Sequence, residues 1–219
     1  MIDTVIFDMD GVLVDTEIVY MQWLEEYLRK KDKDIPKEKI YKMVGLSGKL
    51  AQSYLEKICG EDGEKLWTGY LEACESYPFS YKEVVIPGIE ELLEYLKRAG
   101  ISMALASSSD MKDIQEMLDE TGFDKYFHII TSGEMFKESK PNPEIYLYTI
   151  EQLGKKSENC IVIEDSDYGI LAGKEAGTYV IAREDKRFGF SQKQADIIAK
   201  NTYDIGRILK KLLKKKIWN

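Results

Sequence analysis

The sequence predicts an α/β fold: a mostly parallel sheet covered on both faces, with a block of helices inserted after the first strand. Three observations carry that prediction. The chain opens on a short β-type segment, Thr4-Val5-Ile6-Phe7, which runs into two aspartates, Asp8 and Asp10. From Val84 onward, strand-like runs alternate with helix-like periodic stretches, the rhythm of right-handed crossovers between parallel strands. Between positions 16 and 81, by contrast, no strand pattern stands out and the periodicity is helical.

Taken in order, Val5, Ile6 and Phe7 are β-branched or aromatic, as a buried strand requires, and Gly11 frees the backbone to turn after it. Ile18, Val19, Met21, Trp23, Leu24, Tyr27 and Leu28 then recur at helical spacing up to the charged stretch 29–34. Pro36 restarts the chain, and helical segments are predicted over 40–44, 50–58 and 64–76, separated by glycines at 45, 48, 60 and 63. Pro87-Gly88 opens a helix with Ile89, Leu92, Leu93 and Leu96 on its apolar face, and Gly100 closes it. Strand 101–106, helix 110–120, strand 127–131, helix 143–153, strand 160–164 and helix 167–176 follow, with short strands at 178–182 and 195–199. In the lysine-rich segment 203–218, Ile205, Ile208, Leu209, Leu212, Leu213 and Ile217 repeat at three and four. That pattern describes a helix docked on a core, not a nucleic-acid or membrane arm. The expected domains are an α/β core of residues 1–15 and 82–219 and a helical cap of residues 16–81, hinged near 14–16 and 81–85.

Composition narrows the classes of partner. Hydrophobic residues at 44% and charged residues at 32% describe a soluble globular chain, and a net charge of -8 argues against affinity for nucleic acid or anionic membranes. The opening Met1-Ile2-Asp3-Thr4 lacks a basic n-region and no apolar run approaches a membrane span, so a cytoplasmic protein is expected. Cys59, Cys74 and Cys160 show no C-x-x-C pattern, which points away from a disulfide framework or a zinc site. The single histidine, His128, falls in a predicted strand, which removes hydrolytic triads and multi-histidine metal sites. No spare apolar face is evident, so a monomer is expected.

Ligands of an open parallel sheet bind beyond the carboxyl ends of its strands. Asp8 and Asp10 leave the first strand, Ser107-Ser108-Ser109 the second, Lys140 follows the third, and Glu164 and Asp165 end the strand from Cys160. Carboxylates as close as Asp8 and Asp10 repel unless a cation lies between them. A carboxylate attacks phosphorus competently when metal and lysine neutralise the phosphoryl oxygens, and water can later cleave the acyl phosphate. Asp8 is the expected nucleophile. Hydroxyl and backbone donors after Ser107, together with the Lys140 ammonium, are placed to hold the transferring group. Magnesium prefers hard oxygen ligands, which Asp8, Asp165 and a carbonyl near Asp10 offer. The Asp10 carboxyl is then left for proton transfer, first as acid to the leaving oxygen and then as base to water.

Asp8-Met9-Asp10-Gly11-Val12, Ser107 after a strand, Lys140-Pro141-x-Pro143 and Ile163-Glu164-Asp165-Ser166 resemble the four motifs of the haloacid dehalogenase-like hydrolases. The resemblance spans nearly the whole chain and is most evident toward the β-phosphoglucomutase-like phosphatases, whose helical cap is inserted after the first strand. It implies a Rossmann-like core, Asp8 as nucleophile, Asp10 as acid and base, and Ser107 and Lys140 as phosphate ligands. It further implies Mg2+ on Asp8, the Asp10 carbonyl and Asp165, with Glu164 joining the metal shell directly or through water. Thr16, Tyr20, Lys49 and Ser108 are the candidate substrate contacts. The implied activity is magnesium-dependent hydrolysis of a small phosphorylated metabolite, such as a sugar phosphate, through an aspartyl-phosphate intermediate. The β-phosphoglucomutases carry a histidine where this chain has Tyr20 and an arginine near Gly48, so a mutase is the runner-up reading and a non-catalytic phosphate-binding regulator the third. The run Gly45-Leu46-Ser47-Gly48-Lys49 is not a Walker A loop, because Met43 and Leu50 stand where glycine and a hydroxyl residue are needed.

Overall fold

The computed structural model describes residues 2–44, 46, 48–74, 76, 77 and 79–214. Two compact units emerge: Met1–Asp15, Tyr81–Asp185 and Phe190–Asn219 in the first, Thr16–Ser80 and Lys186–Gly189 in the second. Among the described residues, the first unit holds six strands: β1 (Thr4–Phe7), β2 (Ser102–Ser107), β3 (Ile129–Ser132), β4 (Cys160–Glu164), β5 (Tyr179–Arg183) and β6 (Ile197–Ala199). All pair in parallel, in the order β3-β2-β1-β4-β5-β6. The chain therefore builds outward from β1 to β3, then crosses back to β4 on the other side. Such a reversal opens a crevice at the carboxyl end of the first strand.

Packing explains why β1 and β4 read as unbroken apolar runs. Every residue of both strands is buried, because helices cover both sheet faces, and the polar Thr4 and Glu164 stand only at strand ends. β1 is bonded on each edge, with Phe7 in register with Leu105 of β2 and Ile163 of β4.

The second unit contains α1 (Thr16–Arg29), α2 (Lys37–Ile40), α3 (Gly48–Cys59) and α4 (Gly63–Cys74). Leu24 and Leu28 of α1 are fully buried, as their spacing requires, and the Tyr70 hydroxyl of α4 donates to the Tyr20 carbonyl at 2.9 Å. The helix predicted over 40–44 lies earlier: α2 starts at Lys37 behind Pro36 and gives way to a 3₁₀ turn at Tyr41–Met43. Gly48 and Gly63 open helices instead of merely separating them. Two boundaries also differ from the sequence reading. Tyr81 falls in the first unit, and Lys186–Gly189 fall in the second, where the Phe188 ring meets Tyr41 edge-on at 5.6 Å. Gly45, Ser47, Glu75 and positions 215–219, including Ile217 and Trp218, lie outside the described residues.

The helices of the first unit are α5 (Ile89–Arg98), α6 (Met111–Thr121), α7 (Glu144–Gln152), α8 (Asp167–Glu175) and α9 (Thr202–Lys214). Ile145, Tyr146 and Ile150 of α7 and Ile170 and Ala172 of α8 pack with Ile6, Ala104 and Val162 on one sheet face. Strand alternation turns Val5, Phe7, Met103 and Leu105 to the other face. Where the chain leaves for the second unit and returns, Val14 bridges Val85 in an antiparallel pair. The Asp15 amide donates to the Val84 carbonyl at 2.8 Å and the Ile86 amide to the Leu13 carbonyl at 2.9 Å. Among the described residues, no helix is long and apolar enough to cross a membrane.

Candidate active site

Asp8 continues the sheet by one residue, its amide donating to the Ile163 carbonyl at 3.0 Å, so its carboxylate emerges at the crevice. The turn that follows folds tightly: the amides of Val12, Leu13 and Val14 all point at the Met9 carbonyl. Gly11 takes φ +74, and a Cβ there would collide with Oδ2 of Asp165. Only glycine gives both the left-handed backbone and the room for that carboxylate.

One ammonium ties three strands together. Lys140 Nζ, on the loop before α7, donates to Asp8 Oδ1 at 2.6 Å, Glu164 Oε1 at 2.7 Å and the Ala106 carbonyl at 3.1 Å. It also lies 4.9 Å from the centre of the Tyr146 ring, whose hydroxyl donates to the same Glu164 oxygen at 2.7 Å. The second oxygen of Glu164 accepts from the Asp165 amide and from the amide and hydroxyl of Ser166. Ser166 in turn caps α8, accepting from the Gly169 amide, and a Cβ on Gly169 would strike the Glu164 carboxylate. Glu164 is thus an anion seated against the start of a helix, where backbone donors and the helix dipole favour its charge.

The charge states follow from this seating. Burial alone would raise Glu164, but Lys140 and the bonds from Lys140, Tyr146 and the backbone outweigh it and hold the carboxyl below its ordinary value. Burial likewise works against the Lys140 charge, yet Asp8 and Glu164 hold its pKa well above normal. Asp8 goes the other way: desolvation, with Glu164 and Asp10 adding repulsion, pushes it up to about 8 despite Lys140. One lysine serves two buried carboxylates, and Asp8 is the one left under-compensated.

A second cluster lies beside the first. Ser109 Oγ donates to Asp10 Oδ2 at 2.7 Å, the Ser109 amide donates to Ser107 Oγ at 3.0 Å, and Ser132 Oγ donates to the Ser109 carbonyl at 2.8 Å. Ser107 is buried at the end of β2, its hydroxyl donating to no acceptor among the described residues, while Ser108 is exposed.

Of the residues singled out from sequence, Asp8, Lys140 and Glu164 are joined directly by ion pairs. Asp165 sits beside them, and Asp10 and Ser107 are joined through Ser109. Thr16, Tyr20 and Lys49 belong to the second unit. There Thr16 is fully buried, Tyr20 packs on Trp23 at 5.6 Å, and Lys49 is exposed. Sequence reasoning assigned no separate role to Ser109 or Tyr146. A buried tyrosine needs a hydroxyl partner, and its place on the inner face of α7, six residues after Lys140, was the available signal.

The donor set fits a hard divalent cation. Asp8, Glu164 and Asp165 each present an oxygen within 4.8 Å of the others, and all three are buried.

A profile of the haloacid dehalogenase-like hydrolases matches residues 5–183, from β1 through β5. The chain belongs to that family. Within the haloacid dehalogenase-like hydrolases it is 32% identical to a phosphorylated carbohydrates phosphatase of Thermotoga maritima, over 80% of this chain and 82% of the relative. It is 31% identical to a phosphoglycolate phosphatase of Aquifex aeolicus, over 80% of this chain and 81% of that one. Its fold superposes on a β-phosphoglucomutase of Clostridium difficile with a TM-score of 0.74 at 25% identity, covering 100% of both chains. The family and its phosphatase members make the chain a haloacid dehalogenase-like phosphoric monoester hydrolase with a Rossmann-like α/β core.

Proposed function

We propose that this hydrolase cleaves a small phosphorylated metabolite, with sugar phosphates as the leading class, through an aspartyl-phosphate on Asp8 in a Mg2+-dependent reaction. The observation that carries this is the Lys140 ammonium shared by Asp8 and Glu164 at the end of β1, with Asp10 oriented beside it by Ser109. The Asp8 carboxylate attacks phosphorus as the bond to the leaving oxygen breaks, and the Asp10 carboxyl gives that oxygen its proton. Asp10 then takes a proton from water, which attacks the acyl phosphate and releases Asp8. Lys140 and the Ser107 hydroxyl hold the equatorial oxygens, in which charge spreads during transfer. Asp8, Asp165 and the Asp10 carbonyl would hold the cation. Glu164, whose two oxygens already accept from five donors among the described residues, serves chiefly to seat Lys140. When bound, Mg2+ supplies charge neutralisation to the phosphoryl group.

The carbohydrate-phosphate phosphatase relative supports the substrate class. A mutase is the second reading, favoured by the fold match to β-phosphoglucomutase and opposed by Tyr20 and Gly48 in place of the mutases' histidine and arginine. We read the working protein as a cytoplasmic monomer, with Thr16, Tyr20, Lys49 and Ser108 as the residues to test for substrate contact. Purified protein should hydrolyse p-nitrophenyl phosphate only with Mg2+, and Asp8→Asn should abolish the activity; undiminished turnover in that variant refutes the mechanism. A panel of phosphorylated metabolites, with β-glucose 1-phosphate assayed separately for a relocated phosphate, separates hydrolase from mutase.

A further inference from the structure

Behind the carboxylates stands a closed circuit of contacts that the chemistry above does not use. Gln192, in the loop between β5 and β6, is buried and held at φ +51, a conformation that a side chain other than glycine's rarely adopts without being pinned. It is pinned at every polar atom of its side chain. Nε2 donates to the Asp165 carbonyl and, at 2.7 Å, to the Arg183 carbonyl, while Oε1 accepts from the Asp185 amide at 3.3 Å. Its own amide and that of Ser191 donate to the two carboxylate oxygens of Asp167, in the first turn of α8, at 2.6 Å and 2.9 Å. Arg183 closes the circuit, its Nη1 donating at 3.0 Å to the carbonyl of Gly11, the residue whose missing Cβ admits the Asp165 carboxylate.

Asp165 is therefore gripped from two sides. Gln192 fixes its carbonyl, Gly11 backs its carboxylate, and Arg183, at the end of β5, ties Gly11 to Gln192 by accepting from Gln192 at its own carbonyl. We propose that Gln192 and Arg183 are positioning residues for the cation site: their bracket fixes Asp165 relative to Asp8 and so sets divalent-cation affinity. The proposal rests on the reading of Asp8 and Asp165 as cation ligands. Outer-layer hydrogen bonds of this kind commonly govern affinity by 10–100-fold, because a carboxylate free to swing must be ordered each time the cation binds.

The test measures Mg2+ and Mn2+ binding to the whole purified chain by isothermal titration calorimetry, alongside its thermal midpoint without metal. Gln192→Gly removes the bracket while suiting the positive φ, so the chain should stay folded; cation affinity should fall about 10–100-fold. Arg183→Met should weaken binding in the same direction. Thr149→Val, which deletes a buried hydroxyl of α7 bonded to Thr131 of β3 at 2.8 Å, should lower the midpoint and leave affinity unchanged. Unchanged affinity in Gln192→Gly overturns the bracket, and so does an affinity loss in Thr149→Val as large as that in Gln192→Gly. If the unaltered chain binds no divalent cation, the cation reading of Asp8 and Asp165 fails and the bracket falls with it; a normal affinity lost only in the bracket variants supports both.

Discussion

At Asp8, burial and pairing pull in opposite directions, and burial wins. Its carboxyl is pushed up to about 8 in the folded chain, first by desolvation and then by Glu164 and Asp10 against the pull of Lys140, whereas the unfolded chain returns it to about 3.9. Between those values the folded state binds the extra proton, so the metal-free protein should lose stability as pH rises through that window. Lys140, held well above its ordinary value, titrates beyond that window, and Glu164, held low, acts in the opposite sense only at its acid end. Chelator-treated protein should thus melt lower at about pH 8 than at about pH 5, and Asp8→Asn should flatten the difference; equal slopes in the two proteins would remove the buried proton from the account. Tyr146→Phe keeps the ring beneath Lys140 but takes one donor from a buried carboxylate, which should cost about 1.5–3 kcal/mol in urea unfolding. Asp8, which follows β1, and Lys140, on the loop before α7, stood out in the sequence by residue type, and the structure joins them in an ion pair. Ser109, Arg183 and Gln192 did not, because the groups they serve lie far along the chain: 99 residues separate Ser109 from Asp10, and 172 separate Arg183 from Gly11. No local pattern encodes such a partnership.

Among the elements, the strands and long helices follow the apolar periodicity closely, since both sheet faces are buried and each helix docks by one stripe. The short 3₁₀ turns at Tyr41–Met43, Tyr81–Val84 and Asp124–Tyr126 escape that reading, being too brief to show a period. Two connections matter more than their length implies. The β1 turn and the first turn of α8 each present a bare Cα to a carboxylate, Gly11 to Asp165 and Gly169 to Glu164. Gly11→Ala should abolish measurable Mg2+ binding and destabilise the fold by about 1–3 kcal/mol. Gly122→Ala, at φ +69 with open space around it, should cost about 1 kcal/mol and leave Mg2+ binding untouched. Calorimetry of the two variants separates crowding at the carboxylates from backbone strain alone. Equal cation affinities would show that the turn tolerates a methyl group.

For the molecule as a whole, position in the sheet should set the order of opening. β1 is hydrogen-bonded on both edges and buried throughout, while β6 is a terminal strand with Ile198 at 42% exposure. Amide exchange should be slowest at Val5 to Phe7 and faster in β6, and the reverse order in a native-state exchange experiment would contradict the topology. The pairing of Val14 with Val85 has a different reach. Exit and re-entry meet at a single rung, so the span between them is closed whatever its length, and lengthening it adds only a slowly growing entropic penalty. Such a port would admit a longer or shorter inserted module without disturbing the strand it leaves from.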